Sequence, residues 1–555
     1  MEILKKLVYT TCGLALVSLP AFSQSLAQAI KATDAEQYQK SKSMLKALIK
    51  SEPGNAANYF YLGNVYRQSD YIDSAKMVYK QGIAANANFP LNFVGLGSVA
   101  LTEGNAGTAK SNFEKALALT GKKDNQTLLF IGKAYLQSGT ANADASVKAL
   151  QKAASINPKD AEVYLALGDA YRKQQKNSEA YSSYRTAFDL NKNLLRAKVE
   201  LGVLNKLSKA FPESVAAFNE VVALDPNYGP AYRELAETYW LWGNAQSSKY
   251  DERINQALGY YEKYMDLTDR SLESRERHAT FLILAKKYAE LEKEANAMAQ
   301  LDKSNPRILR YLGYSAYENG NYAGSVQALQ SFLSKVEPGR IIGQDYMYLG
   351  RAMIRIPGSE AAGISNLKKA ITLDSTNVEV MSEVGKALYS AKKFADAAET
   401  FQIAVDNPRS KTRAYDNFYL GMSHYFNYAT LATAKKNPEK SILSEADSAF
   451  SYVIQVAPNN PDSYLYRARV RKMADNEQKL QGLMVPDYEH YLEVVLAKPE
   501  ATADSRIKNS VIEAYKNLGA YYQRTDANKA KGYFRKIIQL DPTDTYAKNA
   551  LKAIG

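Results

Sequence analysis

The segment from Asp160 to Lys192 reads DAEVYLALGDAYRKQQKNSEAYSSYRTAFDLNK, and its periodicity decides the fold. In its first half Tyr164, Leu167, Gly168 and Tyr171 fall on one face at helical spacing. A polar break follows from Gln174 to Asn177, and Ala180, Tyr184 and Ala187 then mark the inward face of a second helix. Small residues at 168 and 180 stand where two helix axes must approach closely, so a bulkier side chain at either would push them apart.

The same pattern recurs along the chain. Gly63, Gly97, Gly132, Gly168, Gly202 and Ala236 occupy the equivalent small-residue position, at intervals of roughly 34 residues. The signature Y-x2-L-G-x2-Y followed by A-x3-Y-x2-A resembles the tetratricopeptide repeat (TPR), a helix-turn-helix unit. The resemblance covers nearly all of the chain beyond the N-terminal segment. It implies an all-α superhelix, a solenoid of about thirteen helical hairpins, and leaves no room for a separate catalytic domain. A solenoid grows by stacking, so a length of 555 residues needs no single core. Thr543 to Ile554 reads as a capping helix, its outer face solvated by Lys548, Asn549 and Lys552.

Spacing divides the chain into a signal segment at 1–23 and repeat arrays at 24–270, 271–410 and 411–555. Two insertions interrupt the pattern. The first, 240–255, carries Trp240 and Trp242 and is expected to lengthen one helix and add a loop, with the partner helix starting near Ala257. The second spans roughly 426–445, in the looser C-terminal array. Either is a candidate docking element.

The N-terminus reads as an export signal. Lys5 and Lys6 precede an apolar run from Leu7 to Leu19, and Ala21-Phe22-Ser23 offers a cleavage site before Gln24. That run is too short to span a bilayer, so the chain is not expected to be an integral membrane protein. The single cysteine, Cys12, lies inside it, which leaves the processed chain without thiol or disulfide. An exported, cysteine-free chain of this type resembles a bacterial periplasmic protein, in some cases held at the cell envelope.

Catalytic apparatus is not visible. His278, His424 and His490 stand in different repeats, without a second ligand at metal-binding spacing. There is no phosphate-cradling glycine loop, and Gly95-x-Gly97 follows no strand. No enzyme activity, cofactor or metal is expected. The resemblance instead implies binding of protein or peptide segments along a concave face lined by the first helix of each unit. Lys133, Arg172, Arg233, Arg310, Arg351, Lys386 and Arg469 fall on that face. The densest group is Arg307, Arg310, Tyr311, Tyr314, Tyr317, Tyr348, Arg351 and Arg355, of types that anchor interfaces. A net charge of +13 favours acidic partners. An anionic envelope polymer such as peptidoglycan or lipopolysaccharide is the alternative ligand. The export signal and the lack of dense basic runs disfavour nucleic acid.

Overall fold

A computed structural model describes residues 25–554 apart from 122, 140, 141, 409 and 477. The export signal at 1–23 lies outside the described residues.

The hairpin at 160–192 sets the pattern. Asp160 caps the first helix, Ala161–Lys173, its carboxylate accepting from the backbone N–H of Glu162 at 3.0 Å. The chain reverses through Gln175 in the left-handed region (φ 61°) and returns as Asn177–Leu190. Tyr184 is fully buried against Gly168, where a Cβ would stand 2.4 Å from the ring. Its hydroxyl donates to Asp169 at 2.9 Å. Glycine at 168 is therefore a requirement of ring packing, as expected from the spacing.

Fourteen such hairpins follow one another from Leu26 to Leu540, and Thr545–Ile554 caps the last; the described residues include no strand. This is the all-α repeat architecture, with one hairpin more than the sequence count of about thirteen. Contacts divide the chain once, between 290 and 291, whereas changes in repeat spacing mark 270 and 410. Each unit has its own stacked cores of buried Leu, Ala, Tyr and Phe.

The first insertion lengthens its first helix, as expected, but the added connection is only a short turn and the partner helix starts before Ala257. Gly229–Ala245 continues for 17 residues, a short 3-10 turn at Ser247–Lys249 intervenes, and the next helix already begins at Tyr250. Packing explains the extra turns. Trp242 stacks on Phe211 with centroids 6.0 Å apart, and the buried Arg253 lies 3.8 Å over its indole and donates to its carbonyl at 3.0 Å. Trp240 is likewise partly covered, with the Arg277 guanidinium 4.6 Å from its ring. The second insertion is also mostly helix: Arg413–Thr433 runs for 21 residues, and Ser441–Val456 follows after 434–440.

In the N-terminal unit the first and seventh hairpins meet. The turn after the first helix, Leu26–Asp34, reaches the hairpin at 229–267 across some two hundred residues of sequence. Tyr228 donates to Asp34 at 3.1 Å, and Tyr264 donates to Glu36 at 2.8 Å. Arg233 pairs with the same Glu36, and Lys31 stands 3.0 Å from Asp225. Gln37 donates to the carbonyl of Leu267 at 3.1 Å, and the backbone N–H of Gln39 to Asp269 at 2.7 Å. The seven hairpins therefore close on themselves.

Candidate functional site

The first helix of each hairpin carries the cations singled out by sequence, and nearly all of them are already paired. Lys133 bonds Glu162 at 2.7 Å, Arg172 bonds Glu200 at 2.7 Å, and Arg196 bonds Asp169 at 2.6 Å; Lys206 pairs with Glu234. Each pair links one repeat to the next. The Lys133 charge holds the Glu162 carboxyl below its ordinary range. Asp34, enclosed at the closure, is pushed up by burial despite Arg196 nearby. This face is a neutralised ladder with few spare charges for a ligand.

The group at 307–355 is knit together in the same way. Helix Pro306–Glu318 presents Arg310, whose Nε and Nη2 donate to the two carboxylate oxygens of Asp345 at 2.7 Å each. Asp345 sits in the first turn of helix Gly343–Ile354, has no exposed surface, and also accepts from Tyr314 Oη at 2.7 Å and Ile342 N at 2.9 Å. The buried Tyr314 and Tyr348 stack at 4.2 Å, Tyr317 meets Tyr348 edge-on at 5.3 Å, and Tyr348 donates to Glu318 at 2.7 Å. Tyr311 is buried too, and Arg351 pairs with Glu383.

These placements show how the groove candidates at 307–355 are packed. The structure brings Arg310, Tyr314, Tyr317 and Tyr348 together, but as an inter-repeat joint around Asp345. With its Nε–Nη2 edge filled by a buried carboxylate, Arg310 cannot offer that fork to a peptide terminus. Arg307 and Arg355 are exposed and Tyr317 is partly so. Arg355 lies 5.8 Å from the Tyr322 ring.

A different stripe emerges farther along the C-terminal unit. Tyr389 on helix Glu379–Ser390 meets Tyr419 at 5.3 Å and Phe426 at 6.1 Å, both on helix Arg413–Thr433. Tyr466 on helix Pro461–Ala474 meets Tyr425 at 5.8 Å and Phe426 at 6.3 Å. Tyr415, exposed, packs on Tyr419 at 4.6 Å. All the other rings are half-buried. The stripe thus crosses the first helices of three consecutive hairpins. Its signal was present in the sequence as FNY and NFY around Gly421, where six aromatic residues crowd into 415–428, within and beside a stretch read as an insertion.

Comparison with known proteins bears on the helical repeats. Residues 165–229 match the tetratricopeptide repeat family. Residues 165–229 are thus a tetratricopeptide repeat segment. The chain is 23% identical to Protein CTR9 homolog of Arabidopsis thaliana over 413 residues, 72% of this chain and 34% of that protein. It is 26% identical to Superkiller complex protein 3 of Mus musculus over 121 residues, 21% of this chain and 8% of the relative. The chain spans about a third or less of the curated relatives it matches. Among solved structures, the C-terminal part of a TPR repeat-containing protein from Cytophaga hutchinsonii is 26% identical with a TM-score of 0.35, covering 50% of this chain and 98% of that one.

The TPR helices keep the three histidines apart and packed. His278 lies parallel to Tyr261 at 6.4 Å, with Glu262 at 3.7 Å. His424 is 3.3 Å from Glu445, and burial pushes its pKa down. His490 packs on Tyr464 at 4.2 Å. Among the described residues no group of three or more His, Cys, Asp or Glu is placed to hold a metal ion, and no helix is long and apolar enough to cross a membrane.

Proposed function

We propose that this TPR protein is a non-enzymatic interaction scaffold of the bacterial cell envelope, exported by its N-terminal segment, which docks protein segments on the inner face of its C-terminal unit. TPR proteins bind peptide and protein partners; the envelope assignment rests on Lys5-Lys6, the apolar run and Ala21-Phe22-Ser23. The observation that carries the docking face is the contrast between two surfaces. The N-terminal unit turns its charged inner residues onto one another and closes, whereas the aromatic stripe from Tyr389 to Tyr466 keeps ring surface in solvent. Arg307 and Arg355 are the exposed members of the 307–355 group. The net charge of +13 favours acidic partners at the encounter stage. Cations held in carboxylate pairs weigh against a polyanion such as lipopolysaccharide as the groove's ligand.

N-terminal sequencing of protein recovered from the native cell tests export. The expected start is Gln24 or within a residue or two. Intact Met1 in a cytoplasmic pool contradicts it.

A further inference from the structure

The aromatic stripe differs from several buried tyrosine sites in this chain in what its hydroxyls do. At those sites they donate within the protein: Tyr184 to Asp169, Tyr314 to Asp345, Tyr348 to Glu318, Tyr488 to Glu513. Among the described residues the hydroxyls of Tyr389, Tyr425 and Tyr466 have no such acceptor, although their rings lie on adjoining helices around Phe426. Burial raises the Tyr389 phenol to about 12, so it remains a donor at neutral pH. Two neighbouring carboxylates already receive donors within the protein, although Asp416 Oδ1 keeps no partner. Glu513 receives both the Arg469 fork, at 2.9 and 2.6 Å, and Tyr488, while Asp416 is buried and receives Thr412 at 2.7 Å. Lys386, 5.8 Å from the Tyr415 ring, adds a further donor. The surface therefore offers ring faces beside the N–H donors of Lys386 and phenol O–H donors that no group among the described residues occupies.

A segment with outward carbonyl acceptors and flat apolar groups complements it. A proline-rich extended segment fits that description. Prolyl residues lack the backbone N–H, their carbonyls point outward on a stiff left-handed helix, and their rings pack on aromatic faces. Preformed stiffness also reduces the ordering cost of lying along three repeats. We propose that the inner face formed by helices 379–390, 413–433 and 461–474 binds an extended proline-rich protein segment. Its rings lie against Tyr389, Tyr419, Phe426 and Tyr466, and its carbonyls accept from the phenols. This rests on the scaffold reading and names the chemistry of the partner.

Fluorescence anisotropy on the full chain tests it, using labelled twelve-residue peptides of repeated Pro-Pro-Ala and of repeated Gly-Ser-Ala, with chitohexaose as competitor. The proline peptide is expected to bind at least about tenfold more tightly than the glycine peptide. Tyr389→Phe and Tyr466→Phe, which keep the rings and the fold, are each expected to weaken it about threefold to tenfold. Tyr466→Ala is expected to weaken it by more than about tenfold. Equal binding of the two peptides, wild-type affinity in both Phe variants, or displacement by chitohexaose overturns the proposal. If the proline peptide fails while an envelope partner captured by the wild type is lost from Tyr466→Ala, the scaffold reading stands and the proline assignment falls.

Discussion

Replacing Arg310 by leucine measures what the joint at Asp345 contributes. The substitution deletes both guanidinium bonds, each 2.7 Å long, and leaves a carboxylate with no exposed surface holding only the Tyr314 hydroxyl and the Ile342 N–H. Breaking one side of a buried ion pair costs about 3–5 kcal/mol. Arg310 keeps 19% of its side-chain surface exposed, so solvent screening places the cost near the lower end, about 3 kcal/mol. Repeat arrays respond locally, so amide exchange by mass spectrometry is the fitting assay. Helices 306–318 and 343–354 should exchange faster by roughly a hundredfold, while 161–190 is unaffected. Adding Asp345→Asn should recover much of the loss, because an amide needs no counter-charge. Unchanged protection in the two helices, or a double variant no better than the single, would show that the pair is not what joins these repeats. An effect on partner capture with no change in exchange would restore Arg310 as a binding anchor.

Two further perturbations act in the N-terminal unit. Gly168→Ala places a Cβ 2.4 Å from the fully buried Tyr184 ring and should cost about 1–3 kcal/mol by overpacking; wild-type amide protection across 161–190 would contradict it. Asp34→Asn should raise the unfolding temperature of this unit at neutral pH. Burial lifts the folded-state pKa of Asp34 above its usual value, so the wild-type penalty is present when the group is charged and vanishes as pH falls through that raised value. The gain from asparagine should therefore shrink on acidification toward about pH 4, and a gain that persists undiminished there contradicts the assignment.

Short-range features of this fold are legible in the sequence, and contacts beyond one repeat mostly are not. Gly168, Tyr184 and the Asp160 cap lie within one hairpin, where a 3.6-residue period exposes which side chains face each other. Arg310 and Asp345 lie 35 positions apart, and Arg351 and Glu383 lie 32 apart. A cation read on its own helix looks like a free groove charge. Its partner is visible only when the acid one repeat ahead is considered at the same time, as Lys133 with Glu162 and Arg172 with Glu200 would have shown. The partner helix of the first insertion starts at Tyr250, not near Ala257, for a related reason. Loss of repeat register at 240–255 signals extra residues and a longer first helix but not where the next helix begins, which the packing of Arg253 on Trp242 sets. No periodicity encodes the meeting of Glu36 with Arg233 and Tyr264.

That meeting alters how the first seven repeats come apart. A linear array frays from its ends, because a terminal repeat has a single neighbour and loses its structure first. In the N-terminal unit the hairpin at 26–51 is held on one side by its successor and on the other by Tyr228, Arg233 and Tyr264. Opening at that end therefore requires two interfaces to give way together. The closure also makes the earliest-synthesised hairpin wait for the seventh before its polar side chains are satisfied. During synthesis, Asp34 and Glu36 remain exposed through nearly two hundred residues of elongation, and the unit reaches full cooperativity only as the helix ending at Leu267 folds.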